Sequence, residues 1–456
     1  MSRAIRNKNV HLVSLGCPKN RIDTEAVMGA LGRQGYRYAG RLEDAGTVII
    51  NTCGFLREAV EEGLSEIGDL ARAKQTCGFR LVVTGCLVQR LGRDLKRLVP
   101  AIDALVGVHG YQGIIPAVEG RSHLVLPAAE GRYAPSFYHG RVLTTGPGWA
   151  YLRIADGCDN RCSYCLIPSI RGRLRSRPLP EIVREARMLA GRGVREINLI
   201  AQDTTAYGTD LDGRRQLPEL LRALGRVDGI EWIRLMYSHP AHIDDRLIEA
   251  LAGQGKAVRY LDVPLQHVSD GILKSMGRRI DGWGITGLID KLRAAMPDIV
   301  LRTTLMVGYP GERPGDFARL CDFVKQAGFD RLGAFAYSPE PGTEAARLPV
   351  QVGQRTKQGR LKTLMELQKR VSLGRNRKRI GQKTRVLIEG WLAKGDPMVP
   401  FRAGYQYFGR SSGEAPEIDG KVYIRSRREL APGEFQAVTI DQAWSHDLGA
   451  VTTSKG

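Results

Sequence analysis

No uninterrupted apolar run in this chain approaches the roughly 20 residues that cross a bilayer, so a spanning helix is excluded. The start "MSRAIRNKNV" has no apolar core of the kind a secretory signal needs. Together these absences predict a cytoplasmic protein with no membrane partner. In that reducing compartment clustered cysteines signal metal or redox chemistry rather than disulfides. Acidic side chains are also scarce, 48 against 68 basic ones, leaving a formal charge of +20. Such an excess predicts an anionic partner, nucleic acid or a ribonucleoprotein, with generic surface positivity as the bland alternative. There is no low-complexity tract. What remains is ordinary globular composition, 43% hydrophobic and 25% charged, over 456 residues, enough for several domains.

Three regions follow along the chain. Between residues 1 and 120, short β-branched runs ("VHLVSLG", "AGTVIINT", "FRLVVTG", "DALVGV") alternate with helical patterns, which implies a parallel α/β sheet. Residues 121–149, with "AAEGRYAPSFYHG" and "TTGPGW", read as a linker. Alternation resumes over 150–375 with six candidate strands, "AYLRIADG", "EINLIAQD", "WIRLMYSHP", "YLDVPLQH", "VLRTTLMVGYPG" and "RLGAFAYSPE". Six units are too few for a closed eight-fold barrel, so a partial (β/α)6 barrel is expected. The basic helical stretch "KQGRLKTLMELQKRVSLGRNRKR" then leads into residues 376–456, where "TRVLIEGW", "GKVYIR" and "FQAVTIDQAW" predict a small antiparallel β-barrel.

The cysteines concentrate the chemistry. Cys158, Cys162 and Cys165 fall within eight positions of one loop, in C-x3-C-x2-C spacing, directly after the first central strand. Cys17, Cys53 and Cys86 lie 36 and 33 residues apart, each just past the end of a predicted parallel strand. Parallel strands end on a common edge, so topology brings these three together where open α/β sheets place ligands. A structural zinc site closes with four ligands, and the eight histidines show no ligand-like spacing to either set. Three thiolates on an iron–sulfur cubane instead leave one iron open. Cys77 and Cys321 fall elsewhere and read as packed small hydrophobes.

The C-x3-C-x2-C loop on the first strand of a partial barrel resembles the radical S-adenosylmethionine enzymes. Over nearly the whole chain, "GCPKNRIDTE", "NTCGF", "TGC" and the TRAM-like terminal barrel resemble the methylthiotransferase family. "SLGCPKN", "ADGCDNRCSYCLIPSIRGRLRSRP", "AQDTTAYG" and "YLDVPLQHVSDGILKSMGR" are similar to its ribosomal-protein branch. The resemblance implies two 4Fe-4S clusters and S-adenosylmethionine as co-substrate. It implies that Cys158, Cys162 and Cys165 carry the cluster that cleaves the sulfonium, and that Cys17, Cys53 and Cys86 carry the auxiliary cluster that presents sulfur. The implied reaction is methylthiolation of an aspartate β-carbon in small-subunit ribosomal protein twelve. A one-electron donor such as a flavodoxin or ferredoxin is implied, and RNA contact through the basic surface is open. The alternatives are methylthiolation of a tRNA adenine and a non-catalytic, metal-stabilised RNA-binding protein.

Gln202, Asp203, Gln266 and Arg302 stand near strand ends and are candidates to line the co-substrate pocket, with helix capping or loop binding as the plain reading of each. "GYPGE" (308–312) is a turn in its own right. The run "RGRLRSRP" reads as a solvated basic loop or as a contact for an anionic substrate.

Overall fold

The computed structural model describes residues 7–127, 138, 140–392 and 404–453. Residues 128–137 and 139, part of the expected linker 121–149 and most of its "AAEGRYAPSFYHG" run, lie outside the described residues. Packing divides the chain into two compact units. The first comprises 1–144, 155–177 and 338–346; the second comprises 145–154, 178–337 and 347–456.

The first unit is built on six parallel strands, β1 (Asn9–Ser14), β2 (Arg37–Tyr38), β3 (Thr47–Thr52), β4 (Arg80–Gly85), β5 (Ala104–Gly107) and β6 (Leu124–Val125). Their order is β2-β1-β3-β4-β5-β6. The central strand β3 is buried at every position, as expected of a parallel strand covered on both faces. One apolar layer gathers Val10, Ile49, Val82 and Val106; the other gathers Val48, Ile50, Leu81 and Val83.

The second unit begins with β7 (Trp149–Arg153). The chain then leaves it through a two-stranded antiparallel clip of the first unit, β8 (Ala155–Asp156) with β9 (Arg175–Ser176). It returns with β10 (Glu196–Ile200), β11 (Trp232–Leu235), β12 (Ala257–Gln266), β13 (Val300–Val307) and β14 (Arg331–Ala336). These form an open parallel sheet, β14-β13-β12-β11-β10-β7, the expected six-unit partial barrel.

Helix Gln354–Arg377 follows. Leu364 is fully buried, but the rest of the buried face is largely polar: Lys357, Arg360, Gln368, Ser372 and Asn376. These polar groups find partners in the sheet. Lys357 Nζ donates to Tyr337 O (2.8 Å), Gln368 Nε2 to Phe329 O (2.9 Å) and Ser372 Oγ to Asp330 O (2.9 Å). A buried polar face costs little when each group is bonded.

The terminal barrel closes as β15 (Lys383–Trp391), β16 (Tyr407–Ser411), β17 (Val422–Arg425), β19 (Leu448–Thr452) and β18 (Phe435–Ala443). Two strands, β16 and β19, carry no run legible from sequence. The expected antiparallel pattern holds for four of the pairings, but β17 and β19 run parallel where the barrel shuts. The barrel is held against the amino ends of the parallel strands. Glu196, first in β10, binds Arg234 (2.9 Å) and Arg410 of β16 (2.8 Å), and Arg331, first in β14, binds Glu414 (2.9 Å). Trp232, first in β11, packs edge-on against Phe435 with centroids 4.5 Å apart.

Candidate functional site

Adjacent strands β1, β3 and β4 deliver the three remote thiols to one edge. Cys17 caps helix Pro18–Arg33 after β1, Cys53 follows the last residue of β3, and Cys86 opens helix Cys86–Leu91 at the end of β4. Two glycines make the turns. Gly16 has φ +93°, and a Cβ there would stand 2.8 Å from Cys53 Cβ; Gly85 has φ +104°, and a Cβ there would stand 2.7 Å from Thr52 N. Only glycine meets both demands, the left-handed backbone and the close approach.

Asn20, fully buried on the helix that Cys17 caps, ties the three strand ends together. Its Nδ2 donates to Leu15 O (3.2 Å) and Thr52 O (3.1 Å), and its Oδ1 lies 3.6 Å from Cys86 Sγ. Burial pushes the Cys86 thiol up to about 12, against the pull of the nearby Arg171 guanidinium, and raises Cys53 in the same way. Without a metal these two thiols stay protonated, so a cluster bound there would have to displace their protons.

The second thiol set belongs to the same compact unit. Its loop is clipped at both ends by β8 and β9, with Ala155 opposite Ser176 and Asp156 opposite Arg175. Inside the clip Cys158 N donates to Gly172 O (3.1 Å), and Cys165 N to Cys162 O (3.0 Å). The Cys165 sulfur accepts from Ile167 N (3.4 Å). Ala345 N donates to Ser163 O (2.9 Å), so the segment 338–346 braces the loop. That segment is held in turn by Glu340, which accepts from Arg57 N (2.7 Å) and pairs with Arg90 (2.9 Å).

None of the eight cysteines is in a disulfide. Among the described residues no three His, Cys, Asp or Glu side chains converge as ligands of a single ion. Each thiolate of a cubane binds its own iron, so cubane ligands need not converge on one point. All six donors are thiols, the donor type such clusters take, and each set supplies three. The donor sets therefore fit two cubanes with one open iron each.

The secondary candidates divide. Asp203 accepts from Thr205 N (3.0 Å), capping the short helix Thr204–Ala206, and pairs with His242 (2.8 Å). Gln266 ends β12 with φ +71°, and its buried Oε1 meets no hydrogen-bond partner among the described residues. Arg302 is third in β13, near the amino end, and binds Asp262 (2.7 Å) and Asp419 (3.6 Å), away from the carboxyl ends. Gln202 is half-buried just beyond β10. "GYPGE" closes on itself, with Tyr309 N donating to Glu312 (3.2 Å) and Glu312 bound by Arg360 (2.9 Å). "RGRLRSRP" is no solvated loop: Arg171 and Arg177 are each 1% exposed, Arg175 is mostly covered, and only the Arg173 side chain is open. Cys77 and Cys321 are both half-buried in helices, and Cys77 packs on the sheet core. Sequence reasoning passed over Asn20, Asp23, Arg171 and Glu340. Asn20, Asp23 and Arg171 stood inside quoted motifs, where a polar residue among strand-end thiols was the available signal.

Three family models match successive parts of the chain: the uncharacterized protein family UPF0004 over 9–107, the radical SAM superfamily over 152–324 and the TRAM domain over 380–452. A ribosomal protein uS12 methylthiotransferase from Geobacter sulfurreducens is 46% identical over 448 residues, spanning 97% of this chain and 98% of its own. The chain belongs to the ribosomal protein uS12 methylthiotransferase family. A second member of this methylthiotransferase family, from Acetivibrio thermocellus, is 43% identical over 450 residues, with 97% of both chains covered. Among solved structures, the radical S-adenosylmethionine methyltransferase TsrM from Kitasatospora setae shares the fold at a TM-score of 0.54 and 17% identity, over 72% of each chain. This chain is thus a radical S-adenosylmethionine enzyme with a terminal TRAM barrel, as the motifs implied.

Proposed function

We propose that this chain replaces a hydrogen on the β-carbon of an aspartate in ribosomal protein uS12 by a methylthio group. Cys158, Cys162 and Cys165 hold one 4Fe-4S cluster, and Cys17, Cys53 and Cys86 hold the other. The observation that carries this reading is two open three-thiol sets packed into one compact unit. When bound, the two clusters and S-adenosylmethionine supply a carbon-centred oxidant, the sulfur and the methyl group.

The chain's own residues supply placement. The clip of β8 and β9 pins the segment between Asp156 and Arg175, whose three cysteines would hold a cluster with one iron left to the co-substrate. Asn20 holds the other three strand ends in register. The terminal barrel, fixed at the amino ends of the strands, recognises the macromolecular substrate and takes no part in the chemistry.

An electron carrier of the flavodoxin or ferredoxin kind supplies the electron, and the charge of +20 favours contact with ribosomal RNA around uS12. No helix among the described residues is long and apolar enough to cross a membrane. Mass spectrometry of ribosomal proteins and digested tRNA from a strain lacking this gene tests the proposal. Loss of the mass of one methylthio group from uS12, with tRNA unchanged, is expected. Loss from tRNA alone would refute it.

A further inference from the structure

Arg171 is among the largest fully buried side chains, and it stands among the strand-end thiols. It ends helix Ile167–Arg171, six positions after Cys165. Its Nη2 donates to Asn20 Oδ1 and to Asp23 Oδ2, both at 2.8 Å, and its Nη1 lies 3.5 Å from Asp156 Oδ2. Through the shared Asn20 Oδ1, which lies 3.6 Å from Cys86 Sγ, it is one side chain removed from that thiol. Asp23 is itself fully buried and accepts from Tyr138 Oη at 3.2 Å. One cation and two carboxylates are therefore fixed, out of water, beside Cys86.

Burying a guanidinium costs several kcal/mol unless charges repay it. Asp23 and Asp156 account for part of that compensation. Three thiolates on a cubane form an anion, and each electron added to it deepens the negative charge. With little water between them, fixed charges at this range act strongly on such an anion. A neighbouring cation favours the reduced state, and a neighbouring carboxylate opposes it.

We propose that Arg171 is a positioning residue that sets the reduction potential of the cluster on Cys17, Cys53 and Cys86, its fixed charge favouring the reduced form and Asp23 opposing it. The inference rests on the cluster assignment made under the proposed function. The step concerned is uptake of one electron from an external one-electron carrier; no bond forms or breaks and no proton moves.

The test uses the full chain carrying Cys158→Ala, Cys162→Ala and Cys165→Ala, so that one cluster remains. Its midpoint is read by potentiometric titration followed by electron paramagnetic resonance. Asp23→Asn should move the midpoint positive, Arg171→Met should move it negative, and Arg171→Lys should leave it close to the start. A merely structural clamp would not give shifts of opposite sign. The proposal is overturned if Asp23→Asn and Arg171→Met both leave the midpoint unmoved, or if Arg171→Lys moves it as far as Arg171→Met. Should Arg171→Met fail to hold iron, Asp23→Asn and Arg171→Lys decide: no positive shift in the first, or a clear shift in the second, overturns it. A chain that binds no cluster before any change at Arg171 or Asp23 would remove the assignment beneath the inference instead.

Discussion

Both compact units are built on six parallel strands; the first buries an ion network past their carboxyl ends, while the second buries its larger network at their amino ends, beside the single Glu312–Arg360 pair past β13. In the first, Arg171, Asp23 and Asn20 gather past the carboxyl ends, among the thiols. In the second, Glu196, Arg234, Arg410, Arg331 and Glu414 gather at the amino ends, where they fasten a β-barrel. The same expensive device, an ion pair out of water, stands beside thiols in one place and joins barrel to sheet in the other. The carboxyl edge is where open α/β sheets collect ligands.

The largest effect expected from this contrast is all or nothing. Replacing Cys158, Cys162 and Cys165 by Ala should abolish 5′-deoxyadenosine formation. Replacing Cys17, Cys53 and Cys86 by Ala should leave that cleavage but abolish methylthiolation. Anaerobic assays counting deoxyadenosine and methylthiolated product check it, alongside iron, where about eight atoms per chain are expected for two cubanes. Methylthiolation surviving in the second variant would make the strand-end thiols merely structural.

The amino-end network should behave otherwise. Arg410→Met leaves Glu196 and Glu389 short of a partner in a dry interior and should cost about 3–5 kcal/mol of stability. Denaturant melts should show that loss, while the folded fraction cleaves S-adenosylmethionine at the parent rate. A variant of full stability but no cleavage would erase the distinction between the two ends.

A smaller effect concerns protons. His267 is fully buried just past β12; its Nδ1 accepts from Ser269 N (2.9 Å), which fixes a neutral ring. Burial holds its pKa down to about 4, with Arg360 and Arg319 adding to the effect and Asp316 opposing it. The unfolded chain therefore binds the proton first, and stability should fall as pH drops from about 6.5 toward 4, by on the order of 3 kcal/mol. His239, held down to about 3 by burial, acts in the same direction. Melts of His267→Gln across that window should show a shallower loss; an unchanged slope would place the proton elsewhere.

Strand existence was legible wherever a β-branched run was bounded by turn residues, which covers β3, β4, β10 and β13. It failed for β16 ("YFGRS") and β19 ("LGAVT"), where glycine interrupts the run and closure of the barrel, a long-range event, supplies the pairing. The six thiols were legible because spacing and topology leave a linear trace. The grouping of 155–177 and 338–346 with the first sheet was not, since contacts such as Ala345 with Ser163 have no local pattern. Burial of Arg171 and Arg177 was equally hidden, because a run of arginines reads as solvated until its partners are known.

Helix Gln354–Arg377 has 24 residues, about 36 Å of rise at 1.5 Å per residue. Its polar buried face is bonded to the sheet along most of that length, and Asn376 at its far end binds Arg331 and the Trp444 carbonyl. The barrel is thus mounted on a stiff strut rather than tethered by a flexible leash. Anything gripped by the barrel is presented at a set offset from the sheet, with little orientational freedom left to lose.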